Sequence, residues 1–164
     1  MKNKKLKPPK VDRSNIVVKS SPIHGKGVFA AKPVKKGDAL IEYKGERISW
    51  KLAEKRHPHD PKDPNHTFYF SLEDGRVIDA KYGGNAARWI NHSCKPNCET
   101  KEDSFNGKPR VFVYAKRSLK LGEELFYDYS LDVEGKVTKQ LKKDYKCRCG
   151  AKKCRGTMLA LDSK

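Results

Sequence analysis

The sequence predicts a mostly-β domain of several small sheets with few, short helices. Three observations lead there: seven short runs rich in β-branched and aromatic residues, turn-forming residues between them, and a single segment with a convincing helical pattern. In chain order, residues 16–18 and 27–30 are the first two runs, separated by His24-Gly25. Residues 39–43 follow the turn Lys36-Gly37-Asp38. Residues 49–56 read as the helix, with Ser49 as N-cap and Pro58 as its stop. The polar, proline-rich stretch 57–65 reads as a loop. Strands over 66–72 and 77–79 flank Glu73-Asp74-Gly75, and the Asp-Gly pair is the best hairpin signal in the chain. A short helical turn fits 85–89, and strands 111–114 and 124–126 follow Asn106-Gly107 and Leu121-Gly122. No internal repeat and no second core are visible.

A chain of 164 residues is one domain by size and can bury a real core. Hydrophobic residues make up 36% and charged residues 35%, but the polar excess is uneven. Residues 1–13 carry Lys2, Lys4, Lys5, Lys7, Lys10 and Arg13 with little apolar between them, so a disordered basic arm is expected there. No apolar run is long enough for a membrane span or a signal-peptide core, so a soluble, intracellular protein is expected. Five cysteines, an odd number, argue against a disulfide framework, and three of them fall between 147 and 154. The formal charge of +17 calls for acidic company such as nucleic acid, although a solvated basic face explains charge equally well.

Four motifs carry chemistry. His24-Gly25-Lys26-Gly27-Val28 places two glycines around one residue just before a strand, where backbone can approach a ligand closely. Residues 84–98, GNAARWINHSCKPNC, set amide, imidazole, hydroxyl and thiol groups on an irregular backbone. Residues 122–129, GEELFYDY, continue a strand whose alternation turns Tyr127 and Tyr129 to one side. Cys147, Cys149 and Cys154 have the spacing CxCxxxxC in a hydrophilic segment, one thiolate short of a tetrahedral metal site. Singly, the glycines could be a plain turn, Asn91 and His92 a satisfied loop, and the tyrosines part of a core.

Together, in this order and across residues 16–158, these motifs resemble the SET-domain protein-lysine methyltransferases. The resemblance implies a set of small β-sheets with a C-terminal pseudoknot, in which a C-terminal segment passes beneath a loop. Composition could not show that, because threaded connections are rare. It divides the chain into the arm 1–13, a SET domain 14–134 and a post-SET zinc segment 135–164. S-adenosylmethionine is the implied donor, held by backbone around Lys26 with Gly25 and Gly27, and by Asn91 and His92. Tyr129 is the implied residue of the methyl-transfer channel. Tyr127 matches the position that tunes how many methyls are added, which points to mono- or dimethylation. Phe68-Tyr69-Phe70 resembles the aromatic strand of the lysine channel, with either Phe68 or Tyr69 as the contact. Ile78-Asp79-Ala80 also matches, with Asp79 structural.

By the same resemblance Cys94 joins Cys147, Cys149 and Cys154 around a structural zinc, with Cys98 as the competing fourth ligand. The implied partner is a protein with a target lysine, a histone or another basic nucleic-acid-associated protein, acted on by a monomer with no membrane contact. No cysteine precedes Cys94, so the cysteine-rich segment that many relatives carry ahead of the domain is not expected, and the insert between Arg47 and Asn65 is short. The setting is cytoplasmic for a bacterial protein, and nuclear or chromosomal for a eukaryotic one or one delivered to a host. The rival reading is a basic nucleic-acid-binding protein with a silent or secondary methyltransferase site. Its contacts would be non-specific and salt-sensitive, because no aromatics are interleaved with the lysines for base stacking.

Overall fold

The computed structural model describes residues 6–23, 25–56, 68–131, 136–147 and 149–160. Its strands are β1 (Ile16–Ser20), β2 (Lys26–Ala30), β3 (Ala39–Glu42), β4 (Glu46–Ser49), β5 (Tyr69–Ser71) and β6 (Arg76–Asp79). They continue with β7 (Asn91–His92), β8 (Cys98–Phe105), β9 (Lys108–Ala115) and β10 (Phe126–Tyr127). Helix α1 (Trp50–Arg56) follows β4, and helix α2 (Lys139–Asp144) lies in the C-terminal part. Four small sheets result: β1-β2, β3-β9-β8, β4-β6-β5 and β10-β7. The mostly-β architecture of several small sheets is therefore the one the sequence predicts.

Local chemistry explains the elements. Leu52 N–H donates to Ser49 Oγ (3.1 Å), so Ser49 caps α1 as expected. The turn after β5 closes through Gly75, whose φ is +88°, and Leu72 N–H donates to Arg76 O (2.8 Å). The longest hairpin is β8–β9. Asn106 (φ 52°) and Gly107 (φ 75°) both take positive φ there, the conformation that a right-twisted two-residue turn demands. Strand β8 was not foreseen because CETKEDSF buries only Cys98 and Phe105, one at each end. Strand β4 and helix α2 were missed too. Helix α2 buries no side chain and so shows no apolar stripe, although Thr138 Oγ1 caps it by accepting from Leu141 N–H (3.1 Å). The expected strand 124–126 is displaced: Glu124 makes an isolated bridge to Phe29, and regular pairing begins at Phe126. The first two residues of the expected strand 66–72 lie outside the described residues.

One core gathers side chains from most of the sheets. Val28, Leu40, Ile78, Ile90, Val111, Val113 and Leu125 are essentially inaccessible to solvent. Each such side chain stabilises the fold by about 1.5–3 kcal/mol. A satellite cluster of Ile48, Ala53 and Val77 lies under α1, with Tyr69 packed against it. The parallel pair β7–β10 sets Asn91 opposite Phe126 and His92 opposite Tyr127. Beyond it, Leu131 N–H donates to Met158 O (3.1 Å) and Ala160 N–H to Leu131 O (2.9 Å). These contacts, with the isolated parallel bridge between Leu131 and Leu159, return the C-terminal segment to the chain just beyond β10. Among the described residues, no helix is long and apolar enough to cross a membrane.

Candidate active site and cysteine knot

The site is built where β7 and β10 run side by side. Tyr129 lies two residues beyond Tyr127, the last residue of β10, and the two rings sit 4.9 Å apart, on one side as alternation requires. The Tyr129 hydroxyl donates to the carbonyl of Ile90, immediately before β7. Burial pushes the Tyr129 phenol well above its ordinary value, with Tyr127 and Glu124 adding to the shift, so it stays protonated and donates.

His92 is locked from two sides. Tyr129 N–H donates to His92 Nδ1 at 3.0 Å, and Asp128 Oδ1 stands 3.7 Å from the same nitrogen. With Nδ1 accepting, the neutral ring carries its proton on Nε2, which lies 3.5 Å from Cys94 Sγ. Burial lowers the imidazole to about 4, against the opposing pull of Asp128 and with a push from Arg155 in the same direction. His92 is thus held neutral.

Asn91 points its amide nitrogen at Lys26 O (3.0 Å) and Glu124 Oε2 (2.9 Å). This ties β7 to the glycine pair. Gly25 is exposed with φ +46°, and a Cβ on Gly27 would meet Glu124 Oε2 at 2.4 Å. Gly27 is therefore a position of close approach, as the sequence suggests, but the group that approaches is the Glu124 carboxylate of this chain, which a Cβ would displace. Ser21 Oγ also donates to Glu124, at 2.8 and 2.9 Å to its two oxygens. Lys26 extends its ammonium over the Trp89 ring, 4.8 Å from the centroid.

Phe68 and Tyr69 part company. Tyr69 donates its hydroxyl to Ala53 O (3.0 Å) and packs under α1. Phe68, just ahead of β5, packs with the main core and meets Trp89 edge-on at 5.3 Å between centroids. Tyr43 anchors this wall by donating its hydroxyl to Phe68 O (2.9 Å). Asp79 is buried and accepts from Lys81 N–H (3.0 Å) and Arg56 (3.4 Å), a structural position.

Four of the five cysteines converge. The Sγ atoms of Cys94, Cys147, Cys149 and Cys154 all lie within 4.8 Å of one another, with Cys94 3.6 Å from Cys147 and 3.9 Å from Cys154. A tetrahedral zinc–thiolate site, with bonds of about 2.3 Å, places its sulfurs about 3.8 Å apart. Backbone N–H groups of Cys149, Arg155 and Gly156 donate to Cys147, Cys94 and Cys154 sulfurs at 3.3–3.4 Å, as suits thiolates. Burial pushes the Cys94 and Cys147 thiols up, whereas at Cys149 hydrogen bonds from the Ala151 backbone and the neighbouring cysteines outweigh burial and bring that thiol to about 6. The donor set and its spacing fit a structural metal. Cys98 stands apart in β8, and burial pushes its thiol up to about 12.

Several residues given no role from the sequence hold this site together. Asn97, buried, donates its amide to Glu124 O and accepts from Phe126 N–H, both at 2.8 Å. Asp128 receives a two-pronged ion pair from Arg155 (2.8 and 2.9 Å). Burial opposes ionisation of Asp128, yet Arg155 and Ser130 hold its carboxyl down at about 2. No periodicity or spacing signals the contacts of Asn97 with Glu124 and Phe126 or of Asp128 with Arg155, since these partners lie 27 residues or more apart.

Comparison with known proteins bears on what this arrangement is for. The model of the SET domain family matches residues 25–130. The chain is 38% identical over 146 residues to histone-lysine N-methyltransferase trr of Drosophila melanogaster, covering 89% of this chain and 6% of that protein. It is 37% identical over 146 residues to histone-lysine N-methyltransferase 2B of Homo sapiens, covering 89% and 5% respectively. With histone-lysine N-methyltransferase set1 of Dictyostelium discoideum the identity is 37% over 149 residues, covering 89% and 9%. The chain spans less than a tenth of the length of these relatives. The motifs, the small-sheet architecture and the family match agree, and the chain belongs to the SET-domain family.

Proposed function

We propose that the chain is a protein-lysine methyltransferase that uses S-adenosylmethionine. The observation that carries this reading is the pairing of β7 with β10, with Asn91 opposite Phe126, His92 opposite Tyr127 and the Tyr129 hydroxyl on the Ile90 carbonyl. When bound, the donor supplies an electrophilic methyl on a sulfonium. The chain's own residues have to hold, orient and exclude water. Backbone at Gly25, Lys26 and Gly27, with Asn91 and neutral His92, forms the donor side. Oxygen acceptors there, such as Lys26 O and the Glu124 carboxylate beside Asn91, suit an ammonium group.

Tyr129 and Tyr127 form the channel, with Phe68 as its wall and Tyr69 as an anchor to α1. A lysine amine with an ordinary pKa of ~10.4 must arrive neutral to be a nucleophile. A buried, phenol-lined channel disfavours the ammonium and aligns the amine for in-line attack. The buried Tyr127 hydroxyl crowds the acceptor nitrogen, which favours mono- or dimethylation. Zinc on Cys94, Cys147, Cys149 and Cys154 would fix the C-terminal segment beside Tyr129.

The three relatives named above each bear the name histone-lysine N-methyltransferase, so the proposed acceptor is a lysine in a histone or another basic nucleic-acid-associated protein, in a nuclear setting for a eukaryotic source. A second function coexists with this one. Arg56, Arg76, Arg110, Arg117 and Arg155 take acidic partners, whereas Lys136, Lys139, Lys142, Lys143, Lys146, Lys152 and Lys153 are exposed around the cysteine knot. That lysine face suits a phosphate backbone and would tether enzyme and nucleic-acid-bound substrate together, with a steep salt dependence.

The test is methyl transfer from labelled S-adenosylmethionine to histones, to a mixture of basic nucleic-acid-associated proteins and to the chain itself. Tyr129→Phe should lower turnover by about 100-fold, the cost of removing a hydrogen-bond donor from the reacting centre, while donor affinity measured by calorimetry stays within about twofold. Equal turnover in the variant refutes the channel assignment. No donor binding by the parent refutes the enzyme and leaves the nucleic-acid reading.

A further inference from the structure

Arg155 joins the cysteine knot to the active site. Its backbone N–H donates to Cys94 Sγ (3.4 Å), and it directly follows Cys154. Its Nε donates to Thr157 O (3.1 Å), and Thr157 is fully buried, with Oγ1 donating to Tyr145 O (3.0 Å). Both of its terminal nitrogens grip the Asp128 carboxylate (2.8 and 2.9 Å). Asp128 is the residue between Tyr127 and Tyr129, and its Oδ1 faces His92 Nδ1 at 3.7 Å. A planar guanidinium with all its nitrogens engaged fixes both position and orientation of the carboxylate, which a flexible ammonium could not do.

We propose that Arg155 is a positioning residue that transmits the order of the metal-filled cysteine knot, through Asp128, to the Tyr129 backbone and the His92 ring. Among the described residues, the knot and the channel are also joined by Cys94–His92 and by the 131/159 bridge. Neither of those grips the Tyr127–Tyr129 segment by its middle residue. The coupling makes metal occupancy a control on the active site: without the metal, residues 147–156 lose their common anchor and Arg155 loses its fixed origin. The inference rests on the proposed metal ligands and on Tyr129 as the channel residue.

The test is amide hydrogen exchange, in the absence of donor and acceptor so that it reads the coupling whether or not methyl transfer occurs. Tyr129 N–H, which donates to His92 Nδ1, reports the site, and Cys147 N–H, which donates to Gly156 O (3.1 Å), reports the knot. In the full chain, zinc at one equivalent should slow exchange at Tyr129 by at least about tenfold relative to the metal-free protein. In Arg155→Gln the same addition should slow it by less than about twofold, while Cys147 keeps its zinc-dependent protection. If Arg155→Gln fails to take up one zinc per chain, Asp128→Asn decides, because it breaks the same link at a residue remote in sequence from Cys147–Cys154. Zinc-dependent protection of Tyr129 in either metal-loaded variant equal to that of the parent overturns the proposal. Its absence in the parent overturns it too.

Discussion

Replacing Asn97 by alanine isolates the contact that sets the height of the tyrosine strand. The side chain is 6% exposed and spans the gap between β10 and the turn that follows β7. Its amide nitrogen serves Glu124 O and its oxygen receives Phe126 N–H, each at 2.8 Å. Alanine removes both partners and leaves one part-buried carbonyl and one part-buried N–H. Each such group costs about 1–3 kcal/mol, so the expected loss is about 2–6 kcal/mol, toward the lower end if water enters the space. Asn97→Asp keeps the acceptor for Phe126 but sets a carboxylate against the Glu124 carbonyl, so it should be no better than alanine. Urea unfolding of the metal-loaded protein, followed by tryptophan fluorescence and circular dichroism, gives the difference directly, provided the slope with urea is unchanged. A loss below about 0.5 kcal/mol for Asn97→Ala would show that β10 is held by something other than this amide.

The remaining predictions concern His92 and the cysteines. His92 has its imidazole lowered to about 4 in the folded chain, so the unfolded chain binds the extra proton. Stability should therefore be full above about pH 6.5 and fall as the pH drops toward 4, by up to about 3 kcal/mol. The difference in unfolding free energy between the parent and His92→Gln across this window isolates the effect from any metal loss common to both. A flat difference means that the ring is not held neutral by burial. Cys94→Ser should abolish stoichiometric zinc, whereas Cys98→Ala should keep one zinc per chain, since Cys98 lies in β8 outside the four-sulfur cluster. Metal analysis of the two purified variants checks this, and the opposite pattern would exchange their roles.

Local signals made much of this fold legible before any coordinates. Ser49 capping α1, the Asp74-Gly75 turn and the alternation of Tyr127 and Tyr129 depend on residues a few positions apart, and patterning reaches that far. Strand β8 escaped because its pairing with β9 leaves six of its eight residues outside the core, so neither alternation nor apolarity marks it. Its hairpin turn, Asn106-Gly107, was the better clue and was read only as punctuation. Gly27 was recognised as a position of close approach, but the approaching group, Glu124, lies 97 residues further on, where no pattern could name it. The choice between Phe68 and Tyr69 stayed open for the same reason: alternation said that they diverge, but not which side held Ala53 and which held Trp89.

The ladder at the heart of the site is only two residues long, Asn91 with Phe126 and His92 with Tyr127. So short a parallel pair contributes few backbone bonds and cannot fix two strands by itself. What fixes them is a ring of side chains: Asn97 on the Glu124 and Phe126 backbone, Asn91 on Lys26 and Glu124, His92 on Tyr129, and Arg155 on Asp128. Each acts at a polar group that is costly to leave unpaired, so each specifies one geometry rather than merely adding attraction. A site built this way should lose precision before the domain loses its fold, because the apolar core around Leu40, Ile78 and Val113 does not depend on it. Substitutions at Asn91, Asp128 or Arg155 are then expected to lower donor affinity and turnover more than global stability, whereas Asn97, which is buried and serves the backbone on both sides, is the member of the ring where the two losses coincide.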